Sequence, residues 1–518
     1  MNKNGIQNTI IDIGTNSARL NICDVYPDKV KFNEKLWVPI AIGRDIYNKG
    51  LISNNTLNDL LQIINNFKIV LNSYKIIYCR AVGSSGIREA RNCDKFIERI
   101  YHETGIRIDI FEPIVEAHIM YEGIKNIIGR QRYFQNENIL YFIIGTGVTI
   151  IIFQSKGKIV FTETRNFGTL RLLKISTLPL PSIEEFVDYT SSKLLTSSLW
   201  QPEEMRRIDR IVIVNDELQN LLQKTAAGIE KDCVSLPFLK YSKYVADIGK
   251  QKETHLQDTL HMHDTVVKTA KIAMKISERL GRKTNVKNMI FPNINRSTAL
   301  LPNLHNYQDD KKLADKNETW ENIISSAIEI GRKYKFDYTH SMIVRKFANI
   351  IFEKIKDYYN FEQKSGLYLE TAAILHDIGY YISPKDHHIN SAALIISAEI
   401  MGLTSYEMNV VSLIAKYHRK LTSDNPASND FAMLPSNHRV MIICLAGIIR
   451  IAEALDKTHN QMVEDIAVVL DEEEDEITIK IKIRDNQFEH IEILRMLVYE
   501  KAFLFHSIFG LTVKLQKM

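Results

Sequence analysis

The chain of 518 residues lacks most of the signals that would place it in an extracellular, membrane or nucleic-acid-binding class. Its five cysteines, Cys23, Cys79, Cys93, Cys233 and Cys444, are scattered and never form a Cys-x-x-Cys pair, which argues against a disulfide framework and a thiolate zinc site. A reducing, cytoplasmic setting is the expectation. No apolar run is long enough to span a bilayer; the longest, Ile139 to Phe153, is interrupted by Gly145-Thr-Gly147 and reads as buried sheet. The opening Met-Asn-Lys-Asn-Gly-Ile-Gln shows neither the basic nor the apolar region of a secretory leader, so no membrane partner is expected. Nor does one charge dominate. Sixty-six Lys+Arg against 62 Asp+Glu leave +4, so nucleic acid is not an expected partner and any anionic substrate must be gripped locally.

What is present is an ordinary globular composition, 45% hydrophobic and 25% charged, with length for roughly three or four structural units. Thr9-Ile-Ile-Asp-Ile-Gly, the turn Thr15-Asn16-Ser17 and Ala18-Arg-Leu-Asn-Ile-Cys-Asp read as strand, turn, strand. The same layout returns at Ile139-Leu-Tyr-Phe-Ile-Ile-Gly145-Thr-Gly147-Val-Thr149-Ile, so a duplicated fold with two facing lobes is expected. Helical stretches near Asn54–Ser73, Asp94–Thr104 and Val115–Ile128 alternate with strand candidates at Lys75–Ala81 and Ile106–Phe111, the pattern of α/β lobes. Strands near Lys158–Glu163 and Arg210–Val214 and a helix near Val266–Leu280 continue the second lobe. From Asn285 to Asn317 the sequence is rich in Asn, Pro, Asp and Lys and reads as a connection. Beyond it helical periodicity dominates, with Ile343, Val344, Phe347, Ile350, Ile351 and Ile355 on one face of a helix beginning near His340. Further helices are expected at Leu367–His376, Ser391–Met401, Glu407–His418 and Met441–Leu455, then a strand after the acidic run Asp471–Asp475, with Phe503, Phe505 and Phe509 in the core. The resulting division is 1–130, 131–300 and 301–518.

The Gly14-Thr15-Asn16 turn can offer backbone N–H groups and a hydroxyl to phosphate oxygens, with Asp12 beside it to hold a hydrated magnesium ion. An ordinary hairpin with a buried aspartate would read the same way. Further polar spots fall at Ser84-Ser-Gly-Ile-Arg88, at Glu116 near a helix start, and at Gly145-Thr-Gly147. The arginine fork suits phosphate and a lone glutamate can activate water. His261-Met-His263-Asp264 has the composition of a metal cluster, but alternate positions on a helix point to different faces.

Together these residues resemble the exopolyphosphatase/guanosine pentaphosphate phosphatase family, a branch of the actin-like and sugar-kinase superfamily. Asp12-Ile-Gly-Thr-Asn-Ser-Ala-Arg-Leu is similar to its first phosphate motif and Ala81-Val-Gly-Ser-Ser-Gly-Ile-Arg-Glu-Ala-Arg-Asn92 to its arginine-bearing loop. Ile114-Val-Glu-Ala-His-Ile-Met-Tyr-Glu-Gly123 resembles the segment that supplies its general base, and Asn166-Phe-Gly-Thr-Leu-Arg-Leu172 a following Gly-x-x-Arg-Leu element. The resemblance implies a two-lobed actin-like α/β fold that hydrolyses a terminal phosphoanhydride of polyphosphate or a guanosine nucleotide with Mg or Mn in the N-terminal cleft, and a homodimer. Carried over by position, Asp12 would organise the metal. Gly14, Thr15, Asn16, Ser84, Gly145, Gly147 and Thr149 would bind phosphate, Arg88 would clamp it and Glu116 would activate water. Three segments depart from the pattern. The second phosphate motif has Ile143 and Ile150 where the family has acidic residues, Val115 precedes Glu116 where a second Glu is common, and Ile213-Val-Asn-Asp-Glu-Leu218 replaces a glycine-rich loop.

The C-terminal part carries His340, Leu375-His376-Asp377-Ile-Gly379, His387-His388, Tyr417-His418-Arg419-Lys420 and Arg450-Ile-Ala-Glu-Ala-Leu-Asp456. This resembles the HD phosphohydrolase domain, in which imidazoles and carboxylates from separate helices meet at a metal. The resemblance implies a mainly helical HD-type domain with His340, His376, Asp377 and Asp456 as ligands, and N/O donors without cysteine suit Mn, Fe, Mg or Zn. A family His-His-x-His-Ser appears as His387-His-Ile-Asn390-Ser, one imidazole short. Two alternatives to the hydrolase reading follow: an HD-type phosphohydrolase whose N-terminal cleft only binds a phosphorylated ligand, and a non-catalytic sensor of polyphosphate or an alarmone.

Overall fold

In the computed structural model, the structure describes residues 6–26, 30–129, 131–175, 185, 207–225, 233–304, 317–419, 429–484 and 491–518. The chain divides into two compact units, Met1–Asp310 and Lys311–Met518. Among the described residues no helix is long and apolar enough to cross a membrane.

Unit 1 is built from two sheets. The first holds β1 (Ile6–Ile13), β2 (Ser17–Val25), β3 (Val30–Pro39), β4 (Arg80–Gly83) and β5 (Ile108–Ile110), in the order β3-β2-β1-β4-β5. The second holds β6 (Asn138–Ile144), β7 (Thr149–Ser155), β8 (Lys158–Arg165), β9 (Arg210–Val214), β10 (Cys233–Pro237) and β11 (Asn288–Pro292), in the order β10-β11-β9-β6-β7-β8. Each sheet contains a three-stranded antiparallel meander, β1-β2-β3 or β6-β7-β8, whose first strand then pairs in parallel with a later one, β4 or β9. The duplicated strand-turn-strand seen in the sequence is this repeated topology.

Burial explains why the apolar runs became strands. Ile139 to Ile144 and Thr149 to Ser155 are buried on both faces, so β6 and β7 read as continuous hydrophobic stretches. On the sheet edge, β3 alternates half-buried and exposed residues along its whole length. Helices carry the sequence between strands: Ser53 caps Asn54–Ser73 by accepting from the Thr56 N–H, and Pro113 opens Pro113–Ile128 where its missing N–H leaves no bond unmade.

Two expectations for unit 1 are corrected. The strand expected over Lys75–Ala81 begins only at Arg80, because Lys75 turns the chain with φ 56°. The segment read as a connection from Asn285 contains β11, buried between β10 and β9, and a helical turn, Arg296–Leu300; its Asn and Pro content hid a five-residue strand. Part of that segment, 305–316, lies outside the described residues.

Unit 2 packs helices Asn317–Lys333, Tyr338–Ile355, Gln363–Leu375, His387–Ser397, Ser405–Tyr417, Ser436–Ala454 and Ile491–Phe509 around one core. A three-stranded sheet of β12 (Val463–Asp471), β13 (Glu476–Ile483) and β14 (Thr512–Lys517) adjoins them in the order β12-β13-β14. The acidic run forms the exposed turn between β12 and β13, and the alternating strand after it buries one face. Phe505 and Phe509 are buried, whereas Phe503 is 79% exposed and is not core. The three positions span seven residues of one helix, and Phe503 falls on its outer face.

Candidate functional sites

In unit 1 the Gly14–Asn16 turn is fixed by backbone bonds on every side. Gly14 N donates to Ser17 O at 2.8 Å, Gly43 N to Thr15 O at 2.7 Å, Ile40 N to Asn16 O at 3.0 Å, and Ser84 N to Ile13 O at 2.9 Å. Ser84 thereby sits against the turn, and its buried Oγ has no hydrogen-bond partner among the described residues. The second loop lies opposite: Gly145 N donates to Val148 O at 2.9 Å, Leu170 N to Thr146 O at 3.0 Å, and the Thr146 hydroxyl meets the Thr15 hydroxyl. A side chain at Gly147 would strike the Tyr47 hydroxyl, and one at Gly168 the Thr146–Gly147 backbone, so glycine is needed at both for this approach.

The charged groups beside the turn are organised by a residue the sequence reading missed. Arg296, 7% exposed, donates through Nε to Asp12 Oδ1 at 3.1 Å and through Nη2 to the same oxygen and to Ile13 O, while Nη1 lies 3.4 Å from Glu116 Oε1. A capping box between Asn295 and Thr298 fixes the helical turn that carries it. Burial opposes the charge on Arg296, but Asp12 and Glu116 outweigh it and raise its pKa. Next to it, Arg19 pairs with Asp216 at 2.7 Å, and burial together with Asp216 pushes the Glu217 carboxyl upward. A cavity of about 630 Å³ opens beside these groups, bordered by Arg19, Trp37, Asp216, His263 and Asn295.

Several sequence-predicted residues take other places. Arg88 is exposed and donates to Ile110 O at 2.7 Å. Arg171, from the Gly-x-x-Arg-Leu element, joins the two halves of unit 1 by pairing with Glu89 and donating to Gly147 O at 3.2 Å. Thr149 is fully buried, and its hydroxyl is spent on Phe167 O at 2.6 Å, which corrects its expected phosphate contact. Ile143 and Ile150 face each other across β6 and β7, both buried, so hydrocarbon fills the place of the family's acidic pair. His261 and His263 lie at a junction between helices, where His263 caps Asp264–Thr284 through Nδ1.

In unit 2 four imidazoles converge on one carboxylate. Asp377 Oδ2 lies 3.4 Å from His376 Nε2 and 3.8 Å from His340 Nε2; its Oδ1 lies 3.2 Å from His387 Nε2 and 3.7 Å from His418 Nε2. Each imidazole is held from behind at Nδ1: His376 by Ala373 O at 2.9 Å, His418 by Ala415 O, His387 by Pro384 O at 3.3 Å, and His340 by Asp456 Oδ2 at 2.9 Å. All four Nε2 atoms and Asp377 Oδ1 are buried without a hydrogen-bond partner among the described residues. The local fold explains the convergence. Asp337 caps Tyr338–Ile355 through the His340 N–H, and His376, His387 and His418 stand at the ends of three other helices.

These donors fit divalent metal. Two ligands about 2.1 Å from one ion and roughly 90–110° apart are separated by about 3.0–3.4 Å, close to the spacings around Asp377. Two overlapping groups result, His340–His376–Asp377 and Asp377–His387–His418. Burial lowers the pKa of His376 and takes His418 down to about 3; burial opposes ionisation of Asp377, but His376, His387 and His418 outweigh it and lower its pKa. Neutral imidazole and ionised carboxylate are the forms that ligate.

Of the four residues expected to ligate, Asp456 stands apart: it spends one oxygen on His340 and the other on the Gln461 N–H, behind the imidazole rather than among the converging atoms. His387 and His418, not in the expected set, point their Nε2 atoms at Asp377. Lys420 lies outside the described residues. Sequence reasoning also missed Glu453, one turn before Asp456, buried and near Lys457 and, at 3.9 Å, Lys501. Burial works against its charge, yet His418, Lys457 and Lys501 bring its pKa from 4.5 down to about 2. A carboxyl depressed on folding stabilises above its unfolded pKa and loses that contribution as pH falls through the folded value. Unit 2 of metal-stripped protein should therefore lose stability between pH 4.5 and about 2, and Glu453→Gln should flatten that part of a melting-temperature profile. An unchanged profile in the variant would remove Glu453 as the source.

Comparison with known proteins places these sites in context. The description "Ppx/GppA phosphatase family" matches residues 33–187, and "Ppx/GppA phosphatase, domain III" matches residues 324–496. The chain is 26% identical over 236 residues to a bifunctional 3-dehydroquinate synthase/phosphatase of Fusobacterium nucleatum, an alignment covering 44% of this chain and about a third, 34%, of that protein. It is 19% identical over 446 residues to a guanosine-5'-triphosphate,3'-diphosphate pyrophosphatase of Photobacterium profundum, covering 85% of this chain and 84% of the relative. Among solved structures, an exopolyphosphatase from Cytophaga hutchinsonii shares the fold at a TM-score of 0.51 and 16% identity, over 58% of this chain and 97% of that one.

Proposed function

Because the chain belongs to the Ppx/GppA phosphatase family, we propose that it is a phosphohydrolase that releases the terminal phosphoryl group of polyphosphate or guanosine pentaphosphate as orthophosphate. One observation carries the reading for unit 1: the Glu116 carboxylate is held beside Asp12, under the Gly14–Asn16 turn, by a single buried guanidinium. In this reading the Thr15–Asn16 and Thr146–Gly147 backbone and Ser84 receive the phosphate chain, since the Gly14 and Gly145 N–H groups expected there are already given to Ser17 O and Val148 O, and Glu116 takes a proton from water as its oxygen bonds to the terminal phosphorus. The bridging P–O bond breaks, and the electron pair leaves with the shortened chain. Positioning and charge neutralisation do most of the work in such transfers. Arg88, exposed on the helical turn Ser85–Glu89, is assigned to capturing the chain rather than to the reacting phosphorus.

A divalent metal does not fit unit 1 as these residues stand. Asp12 Oδ1 is taken by Arg296, and the second carboxylate site is Ile143 facing Ile150. It does fit unit 2, which favours a second reading: an HD-type, metal-dependent phosphohydrolase site within 301–518. Five buried donor atoms aimed at one another support it. His340, His376, Asp377, His387 and His418 would hold Mn, Fe, Mg or Zn, which when bound acidifies water and polarises a phosphoryl oxygen. Asp456 and the Ala373 and Ala415 carbonyls keep the imidazoles in the ligating tautomer, and Arg419 and Lys457 offer charge to an arriving phosphate.

The family resemblance also suggests a homodimer, which a light-scattering mass of one chain would refute. The test of function is orthophosphate release from long-chain polyphosphate and from guanosine pentaphosphate, using metal-stripped protein resupplied with Mg or Mn. Release from neither substrate would sink the reading of unit 1 as a hydrolase of these chains and leave a binding protein or a unit 2 enzyme with another substrate.

A further inference from the structure

We propose that unit 1 handles its phosphorylated ligand without a divalent ion, because the Arg296 guanidinium already occupies the cation position on Asp12 and Glu116. This rests on the reading of unit 1 as a phosphate-handling cleft. Three observations converge on it. Asp12 Oδ1 accepts from both Nε and Nη2 of Arg296, and Glu116 Oε1 lies 3.4 Å from Nη1. The pair is enclosed: the Arg296 and Asp12 side chains are 7% and 5% exposed. Finally, the position where a second carboxylate would complete a hard-metal site is a buried isoleucine pair in register.

The chemistry follows from these contacts. Magnesium keeps several waters and is anchored by one or two carboxylates, and here both carboxylates that could anchor it, Asp12 and Glu116, face the same guanidinium. An incoming dication would also meet the positive charge of a residue that does not deprotonate. For a phosphate chain the same residue works in the opposite sense. Arg296 neutralises Asp12 and Glu116, so an anion can approach Gly14–Asn16 and the unpartnered Ser84 hydroxyl without facing two uncompensated carboxylates. Of the five guanidinium N–H groups, contacts to Asp12, Ile13 and Glu116 account for four, which leaves one on Nη1 for a ligand oxygen.

The experiment uses the full chain. Bound Mn²⁺ counted by electron paramagnetic resonance should be the same in wild type, Asp12→Asn and Glu116→Gln. Loss of one Mn²⁺ in either folded variant would overturn the inference, and Glu116→Gln serves if Asp12→Asn does not fold. In EDTA, calorimetry with inorganic tripolyphosphate should show saturable binding that Arg296→Met weakens at least tenfold. Binding that appears only on adding Mg²⁺, or that Arg296→Met leaves unchanged, would overturn it. Tripolyphosphate binding without any phosphate release would sink hydrolysis at Glu116 and leave this inference standing.

Discussion

Glu116→Gln is expected to lower orthophosphate release by about 10²- to 10⁴-fold, the usual contribution of a general base, with little change in substrate affinity. The amide keeps the size of the side chain and can still meet Arg296, so the cleft retains its shape while losing its proton acceptor. A kcat loss at constant KM is the signature of a group used only in the transition state. Steady-state kinetics on both substrates decide the matter. Should Glu116→Gln retain full turnover, the activity does not reside in unit 1.

Asp377→Asn should have the complementary effect on unit 2. Asp377 stands at the centre of the imidazole cluster, with one oxygen toward His340 and His376 and the other toward His387 and His418. Asparagine offers one neutral oxygen in place of two charged ones, so metal content measured by mass spectrometry after dialysis should fall to near zero. Metal-supported thermal stability should fall with it, because binding to the folded state alone adds stability by mass action. Asp456→Asn leaves all ligands in place and loosens only His340, so a partial loss of about 10- to 100-fold in metal affinity is expected. Full metal content in Asp377→Asn would exclude the cluster as a metal site. If Asp377→Asn also abolishes phosphate release while Glu116→Gln does not, unit 2 is the catalytic centre.

Much of this architecture was legible in the sequence because it rests on local pattern. The helices at Asn54–Ser73 and Tyr338–Ile355 follow apolar spacing and capping residues, and the two strand-turn-strand repeats announce themselves by their glycines and flanking isoleucines. His340, His376 and Asp377 carried motif positions and do come together. What was hidden depends on tertiary placement. Arg296 lies in a segment whose composition resembles a linker, and it meets Asp12 across 284 residues, so no spacing rule could have paired them. Asp456 belongs to the right motif but to the back of the ring, because which side of an imidazole a carboxylate touches is decided by the angle between two helices. His387 and His418 meet Asp377 although the family's third imidazole in that stretch is Asn390, since the ends of separate helices, not a run of histidines, form the second group.

The facing pair of Ile143 and Ile150 makes two positions behave as one. A carboxylate placed at either alone would bury a charge against hydrocarbon on the neighbouring strand, at a cost of several kcal/mol unless a partner is supplied. An engineered metal site would therefore need both positions changed together, because each single acid weakens the sheet without completing a ligand pair.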